Sequence, residues 1–546
     1  MPADVEGKGM NRSVRHLRWA ATALLAAGLV AAGCAGPQTA PQGEGAKGGS
    51  VSIVLYQKPK LFSPLEPAHG PDQQVMTLIY RSLMTPSPDL KLEPQLAEKV
   101  DVNDDATEFT FHLRKGLKWS DGKPFTSADV LFTHQALANP KSTSPATGSY
   151  KDIVGAKEVA AGTADTVSGM TAPDENTFVV ETTSPNYGIL AQISINMILP
   201  KHILGDKPLE TLAKDPFFSN PTVGLGPFQF VKYEVDQYVE LKKNPNFPKP
   251  ASVDKVFLKP VTADVATAQL GTGEMDIAPV APSDKETLES FGTLSFAESK
   301  EGGFVRVGLN LTQERFKNVK VRQGLLTGID RKSIIDSALP GVGAERNSSF
   351  DPATSGDGID KYAYDKDKAK QLLTEGGWDF GQTVKLAWIA GSNPDRDAAA
   401  IAIESQLKEI GVKVELQQVD AGWTTEALKG PSFDMFMFGG GNYTVDPWNV
   451  YAIEACETQF PNGGNTVRFC DPELDAKMKE ANGTADEGQR KKLYTEAAKI
   501  DNEQVPYLWL YSPGGLWAVN EKLSNFKPLS PTGGGFYHAE DWRLAS

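Results

Sequence analysis

The chain has 546 residues, too many for one simple core at about 100–200 residues per domain, so two or three lobes are expected. With 40% hydrophobic and 23% charged residues its composition is globular, which excludes disorder and fibrous repeats as overall descriptions. A net charge of -14 has the wrong sign for neutralising phosphates, which excludes nucleic-acid binding, and no second apolar run of about 20 residues follows the first 35 to read as a membrane span.

At the N-terminus Arg12, Arg15 and Arg18 precede the apolar run from Trp19 to Val30, and Ala31-Ala32-Gly33-Cys34 follows. That order is the order of a secretory signal peptide over residues 1–33, with Met1 or Met10 as its start. The small residues before Cys34 resemble the bacterial lipobox, although Ala31 stands where that pattern usually has Leu. The resemblance implies a diacylated Cys34 and an outward-facing protein anchored to the cell membrane. Residues 34–49 are rich in Pro, Gly and Gln and read as a flexible tether, so the folded body is expected from about Ser50.

Ser50 to Tyr56 reads as a first strand, and Val75 to Leu83 has helical spacing. From Thr107 to Trp119 the pattern alternates, with Phe109, Phe111 and Leu113 on one face and Thr110, His112 and Arg114 on the other. This is a half-buried antiparallel strand, and His112 belongs to its polar face rather than to a catalytic group. Ser120-Asp121-Gly122 is turn chemistry, and Thr126 with Asp129 forms a capping box for a helix through Leu137. Asp365 starts a helix closed by Gly376-Gly377, with Ala369, Leu372 and Leu373 facing inward. Asp397 to Ile410 is a helix ending at Gly411, and a strand over Val412, Val414 and Leu416 follows at once. Phe433 to Phe438 is an apolar strand running into Gly439-Gly440-Gly441. Antiparallel β character thus gives way to α/β alternation after about residue 300, which predicts two lobes.

Cys456 and Cys470 flank the turn-rich Pro461-Asn462-Gly463-Gly464, and in an exported chain they are expected to form a disulfide. The six histidines show no ligand spacing, so neither a metal nor a cofactor is expected. A secreted hydrolase is the main rival to a binding protein. It lacks a G-x-S-x-G elbow and an H-E-x-x-H pair, so no enzyme is expected.

The run Leu113-Arg114-Lys115-Gly116-Leu117-Lys118-Trp119-Ser120-Asp121-Gly122-Lys123-Pro124-Phe125-Thr126-Ser127-Ala128-Asp129-Val130 resembles the signature block of ABC-transporter solute-binding proteins of family 5. Further blocks follow in the family's order: Gly224-Leu225-Gly226-Pro227-Phe228, Asn244-Pro245-Asn246-Phe247, Gly273-Glu274-Met275-Asp276, Val321-Arg322-Gln323-Gly324 and Asp365 to Gly376. The resemblance implies an α/β, periplasmic-binding-protein-like fold of type II, two lobes hinged by two chain crossings, with an extra β-rich subdomain in the first lobe. With crossings near Gly302-Gly303 and Pro506, lobe 1 spans 50–302 plus 507–546, its extra subdomain about 79–190, and lobe 2 spans 303–506. The implied partners are an ABC permease and ATPase, or a sensor if the receptor signals instead. The implied cargo is an oligopeptide or dipeptide, with an oligosaccharide or other small solute as the alternative, held by a monomer.

The resemblance places cargo between the lobes, on loops at strand ends. The loop Gly439-Gly440-Gly441 with Asn442, Tyr443, Asp446 and Trp448 follows the buried strand directly, its glycines allowing close backbone approach, and Tyr56, Trp423 and Trp509 are further aromatics expected in the crevice. In dipeptide-binding relatives this loop presents an aspartate to the peptide's amino terminus. Here that position falls on Tyr443, or on Asn442 if the loop differs by one residue, and no carboxylate occupies it. Asp446 is an alternative countercharge or a turn residue before Pro447.

Overall fold

The computed structural model describes residues 48–545 apart from 67–69, 90, 300–302, 390–393, 421, 424–432, 442–445, 462 and 530–534. The expected signal segment, Cys34 and nearly all of the tether lie outside the described residues. Gly49 already belongs to the body, because its carbonyl accepts the Asp254 and Lys255 amides at 2.9 and 3.2 Å. Among the described residues no helix is long and apolar enough to cross a membrane.

The strand Ser50–Leu55 buries Val51, Ile53, Val54 and Leu55. Apolar on both faces, it sits inside a seven-stranded sheet, parallel to Lys255–Pro260 and to Ile277–Val280. Tyr238–Lys243 and Phe228–Glu234 extend one side, Gly515–Asn520 and Leu294–Ser299 the other. The first helix spans Gly70–Ile79, starting and ending earlier than its apolar spacing predicts. Its last carbonyls are met by an incoming segment: the Gly226 amide donates to the Ile79 carbonyl at 2.8 Å. A Cβ on Gly224 would stand 2.1 Å from the Ile79 oxygen, and one on Gly226 2.2 Å from the Leu78 oxygen, so only glycine lets the chain pass.

A separate four-stranded antiparallel sheet, Ala97–Val102, Glu108–Leu113, Thr177–Glu181 and Met170–Asp174, forms the extra β subdomain. Phe109, Phe111, Phe178 and Trp119 fill its core beneath the helix Ser127–Ala138. That helix opens with the Thr126 amide donating to the Asp129 carboxylate at 3.0 Å, one half of the capping box. His112 on the polar face bonds Asp101 at 2.7 Å. Ser120 and Gly224 exchange hydrogen bonds, and Asn246 Nδ2 donates to the Trp119 and Ser120 carbonyls at 3.3 and 3.0 Å. The most recognisable sequence blocks are therefore neighbours in space, joining subdomain to lobe.

The third large element is a six-stranded sheet in the order Gly343–Glu345, Tyr507–Pro513, Gly303–Leu309, Met435–Gly441, Thr383–Ile389, Lys413–Val419. Helices Val319–Thr327, Arg331–Ala338, Lys366–Glu375 and Pro394–Glu409 cover one face, where Val305, Val307, Met437 and Leu508 are buried. Helices Trp448–Glu454, Pro472–Asn482 and Glu487–Gln504 cover the other, over Phe304, Tyr507 and Trp509. Asp365 caps its helix through the Lys368 amide at 2.9 Å. The crossing expected near Pro506 falls later: Tyr507–Pro513 pairs with Gly303–Leu309, and only Gly515–Asn520 joins the seven-stranded sheet. The run YLWLYS is apolar on both faces and completes a sheet interior, which a Pro at its start does not prevent.

The C-terminal segment returns to the first lobe through a buried ion pair, Arg81 Nη2 to Glu540 Oε2 at 2.9 Å, with His538 on the other carboxylate oxygen at 2.7 Å. Burial pushes the Glu540 carboxyl up, but the Arg81 charge and the His538 hydrogen bond outweigh it and hold it down at about 2. A folded-state value below the usual 4.5 means that this pair stabilises the protein above pH 4.5 and loses that contribution as pH falls towards 2. Glu540→Gln is expected to cost about 3–5 kcal/mol at neutral pH by leaving Arg81 buried without its partner. Denaturant titrations between pH 7 and 2 should show a shallower acid loss in the variant.

Candidate functional site

Strand pairing dictates where a site between the lobes lies. Ser299 pairs with Gly515 and Val280 with Leu516, so the first sheet is left after Ser299 and rejoined at Gly515, at the side where the parallel strand Ser50–Leu55 ends in Tyr56. Gly303 pairs with Gly441 and Gly343 with Pro513, so the same passages enter the second sheet where Met435–Gly441 and Thr383–Ile389 end. The C-terminal ends of both sets of parallel strands therefore border the passages, the place where α/β sheets bind ligands. Gly514 is tightly held, since a Cβ there would stand 1.8 Å from the Val342 carbonyl oxygen.

On the first lobe Tyr56 is 44% exposed and its hydroxyl donates to the Pro279 carbonyl. Burial of the hydroxyl, reinforced by the negative charge of Asp284, pushes it up to about 12, so it stays a neutral donor and acceptor. On the second lobe the glycines expected to form a loop after the strand are its last residues: Gly439, Gly440 and Gly441 pair with Val305, Phe304 and Gly303. The room they leave is filled by protein. A Cβ on Gly439 would stand 2.6 Å from Arg396 Nη2 and 2.7 Å from the Phe304 carbonyl, and one on Gly440 3.0 Å from the Phe304 ring.

Arg396 sits in the first turn of Pro394–Glu409 between Asp395 and Asp397. Tyr511 donates to Asp395 at 2.9 Å and Trp388 Nε1 to Asp397 at 2.7 Å, so both acids anchor the helix start. With Ile389, Phe436, Met437, Phe438, Gly439 and Thr466, Arg396 lines a pocket of about 210 Å³ at the strand ends. Cationic head and apolar walls suit a side chain or terminus that is partly apolar and partly anionic. Sequence reading missed Arg396, yet a signal existed: a cation in the first helical turn opposes the helix dipole. Thr466 is held by the loop that the Cys456–Cys470 disulfide closes, where buried Asn465 bonds the Ala455 and Phe469 carbonyls at 3.0 and 2.7 Å.

The remaining expected contacts separate. Trp423 is partly buried at the neighbouring strand end, packed on Phe436 at 5.9 Å. Asn442 and Tyr443 lie outside the described residues. Asp446 accepts the Trp448 amide at 2.9 Å as a turn residue; burial pushes its carboxyl up, against the pull of that amide and of Arg490. Trp448 stacks on Tyr451 at 4.3 Å and presses on Gly188 of the extra subdomain. Trp509 is not a crevice residue. It is 2% exposed, under Phe304 and Tyr507 in the core, because alternation along its strand points it at the helix-covered face. A second cavity, about 300 Å³ beside Met76, Tyr80 and Arg81, is walled by the first lobe alone. Among the described residues no group of His, Cys, Asp or Glu is placed to hold a metal.

Two lobes joined through paired passages, with strand ends between them, define a binding-protein fold of the two-lobed α/β type. The chain belongs to the bacterial extracellular solute-binding proteins, family 5, whose profile it matches over residues 91–460. It is 28% identical over 529 residues to the oligopeptide-binding protein AppA of Bacillus subtilis, covering 92% of this chain and 93% of that one. The structure of AppA with a nonapeptide superposes with a TM-score of 0.72 at 27% identity, over 92% of this chain and all of the other. The ABC transporter substrate-binding protein CtaP of Listeria monocytogenes shares the fold, with a TM-score of 0.80 at 23% identity over 92% of this chain and all of that one. Heme-binding protein A of Haemophilus influenzae is 28% identical over 82% of this chain and 81% of its own.

Gly439→Ala is expected to displace Arg396 and lower stability by about 1–3 kcal/mol. Chemical denaturation should register that loss, with Gly148→Ala as a control at a glycine that has nothing within 4 Å and no left-handed φ.

Proposed function

We propose that this chain is the capture subunit of an ABC importer and takes an oligopeptide between two lobes, residues 50–299 with 515–545 and residues 303–513. Cargo binding selects the closed arrangement, which the permease and its ATPase then recognise. The observation that carries the reading is the end-length likeness to an oligopeptide-binding protein, combined with open strand ends at the passages. An extended peptide suits such ends, because its backbone can bond polar groups where the strands finish while side chains enter pockets. Peptide is favoured over sugar by the placement of Trp509 in the core and of Trp448 against Gly188, which withdraws two stacking faces. The absence of a carboxylate at Asn442 and Tyr443 disfavours an anchored ammonium, whereas Arg396 suits a carboxylate. The protein works as a monomer, exported by residues 1–33 and tethered to the membrane through acylated Cys34.

Mass spectrometry of material co-purifying with the protein should find peptides, and calorimetry with two- to nine-residue peptides should give a stoichiometry of one. If no peptide co-purifies or binds, the cargo assignment fails. Arg396→Ala is expected to weaken binding about tenfold, equivalent to about 1.4 kcal/mol, without altering fold stability to the same degree. Cys34→Ala should move the protein from the membrane fraction to the soluble one, and its retention on membranes would refute the anchor.

A further inference from the structure

Away from the passages, the extra subdomain touches the second lobe at one built contact. The Tyr187 amide donates to the Asn482 carbonyl at 2.7 Å and the Gly188 amide to Asn482 Oδ1 at 2.7 Å. Asn482 Nδ2 in turn donates to Asn186 Oδ1 at 2.9 Å. Asn186 and Asn482 are only 4% and 3% exposed, although both side chains are polar. The Tyr187 ring carries the Arg490 guanidinium 3.4 Å from its centre, and Arg490 is itself fixed by the Thr484 and Ala485 carbonyls at 3.1 Å. Gly188 abuts Trp448 so closely that a Cβ would stand 2.7 Å from the indole.

We infer that Asn482 and the segment Asn186–Gly188 form a clasp that sets cargo affinity without touching cargo, by holding the two lobes together. This rests on the two-lobe capture reading above. The passages are the only covalent links between the lobes, so any rotation about them has to part or strain this contact. Its polar part suits repeated opening: every hydrogen bond in it can be replaced by one to water, so their net bias is small, while the Trp448 and Tyr187 rings add an apolar share to the closed state. The clasp is also wired to the crevice. Trp448, which meets Gly188, has its amide held by Asp446, five residues along the chain from the last residue of the crevice strand, Gly441. Cargo that closes the lobes favours the closed clasp, and a closed clasp favours cargo binding, which is reciprocal coupling between two sites. Asn482 is therefore a positioning residue for capture.

The test uses the full chain, without added ligand and then with a nonapeptide. Amide hydrogen exchange at Tyr187 and Gly188 reads the clasp, and small-angle scattering reads lobe separation. Asn482→Ala removes the amide clasp. Gly188→Ala inserts a wedge against Trp448, and serves if Asn482→Ala fails to fold. In each variant exchange at 186–188 is expected to rise at least tenfold, the radius of gyration to increase, and the nonapeptide Kd to rise about tenfold through faster dissociation. Unchanged exchange and scattering in both variants, or an opened profile with an unchanged Kd, would overturn the clasp. Absence of peptide binding to the wild-type chain sinks the cargo reading instead, while exchange and scattering still decide whether the clasp closes the lobes.

Discussion

The whole arrangement depends on one covalent constraint: the two large sheets are joined between Ser299 and Gly303 and between Pro513 and Gly515, and all four residues stand at the ends where the parallel strands finish. Because the joins share an edge, Tyr56 with the first sheet and Gly439–Gly441 with the second are brought to one mouth. Had either join left at the opposite edge, the pocket at Arg396 would face away from the first lobe. The site is therefore a product of topology before it is a product of any side chain.

Such a mouth works only if each half is rigid, and the second lobe shows how rigidity is achieved around buried charge. Arg306, 2% exposed, lies 3.7 Å from the Tyr507 ring centre and within 4.8 Å of Phe304, Phe438 and Trp509. Glu454 and Asp501 are buried together on the same face, bridged by Ser349, and burial with the adjacent Asp501 charge pushes the Glu454 carboxyl well up. Burial raises the Asp501 carboxyl too, against the hydrogen bonds from Ser348 and Ser349, because two like charges are disfavoured in one apolar space. The aromatic cage immobilises Phe438, which is also a wall of the crevice pocket.

Much of the fold was legible because its signals are local. The alternation around Phe109 and Phe111, the Thr126 and Asp129 box and the Asp365 cap depend on neighbours a few residues away, and all are where the sequence implies. The signature block from Leu113 to Val130 carries the family resemblance, and in the fold its part is to join the extra subdomain to the first lobe. What stayed hidden depends on pairing at a distance. The glycines 439–441 read as a loop until Gly303–Val305 supplies the strand beside them, and Trp509 reads as a crevice aromatic until the pleat of Tyr507–Pro513 assigns its face. Arg396 gives only a weak signal along the chain, a cation in a first helical turn, and gains meaning when Gly439 leaves room for its head.

The close seat of Gly514 on the Val342 carbonyl makes the joint lopsided. Gly514 is thus packed on the second half, while Gly515, one bond further, pairs with Ser299 in the first. A turn between the halves along this passage has the single Gly514–Gly515 junction in which to be absorbed, where neither residue carries a Cβ to resist it.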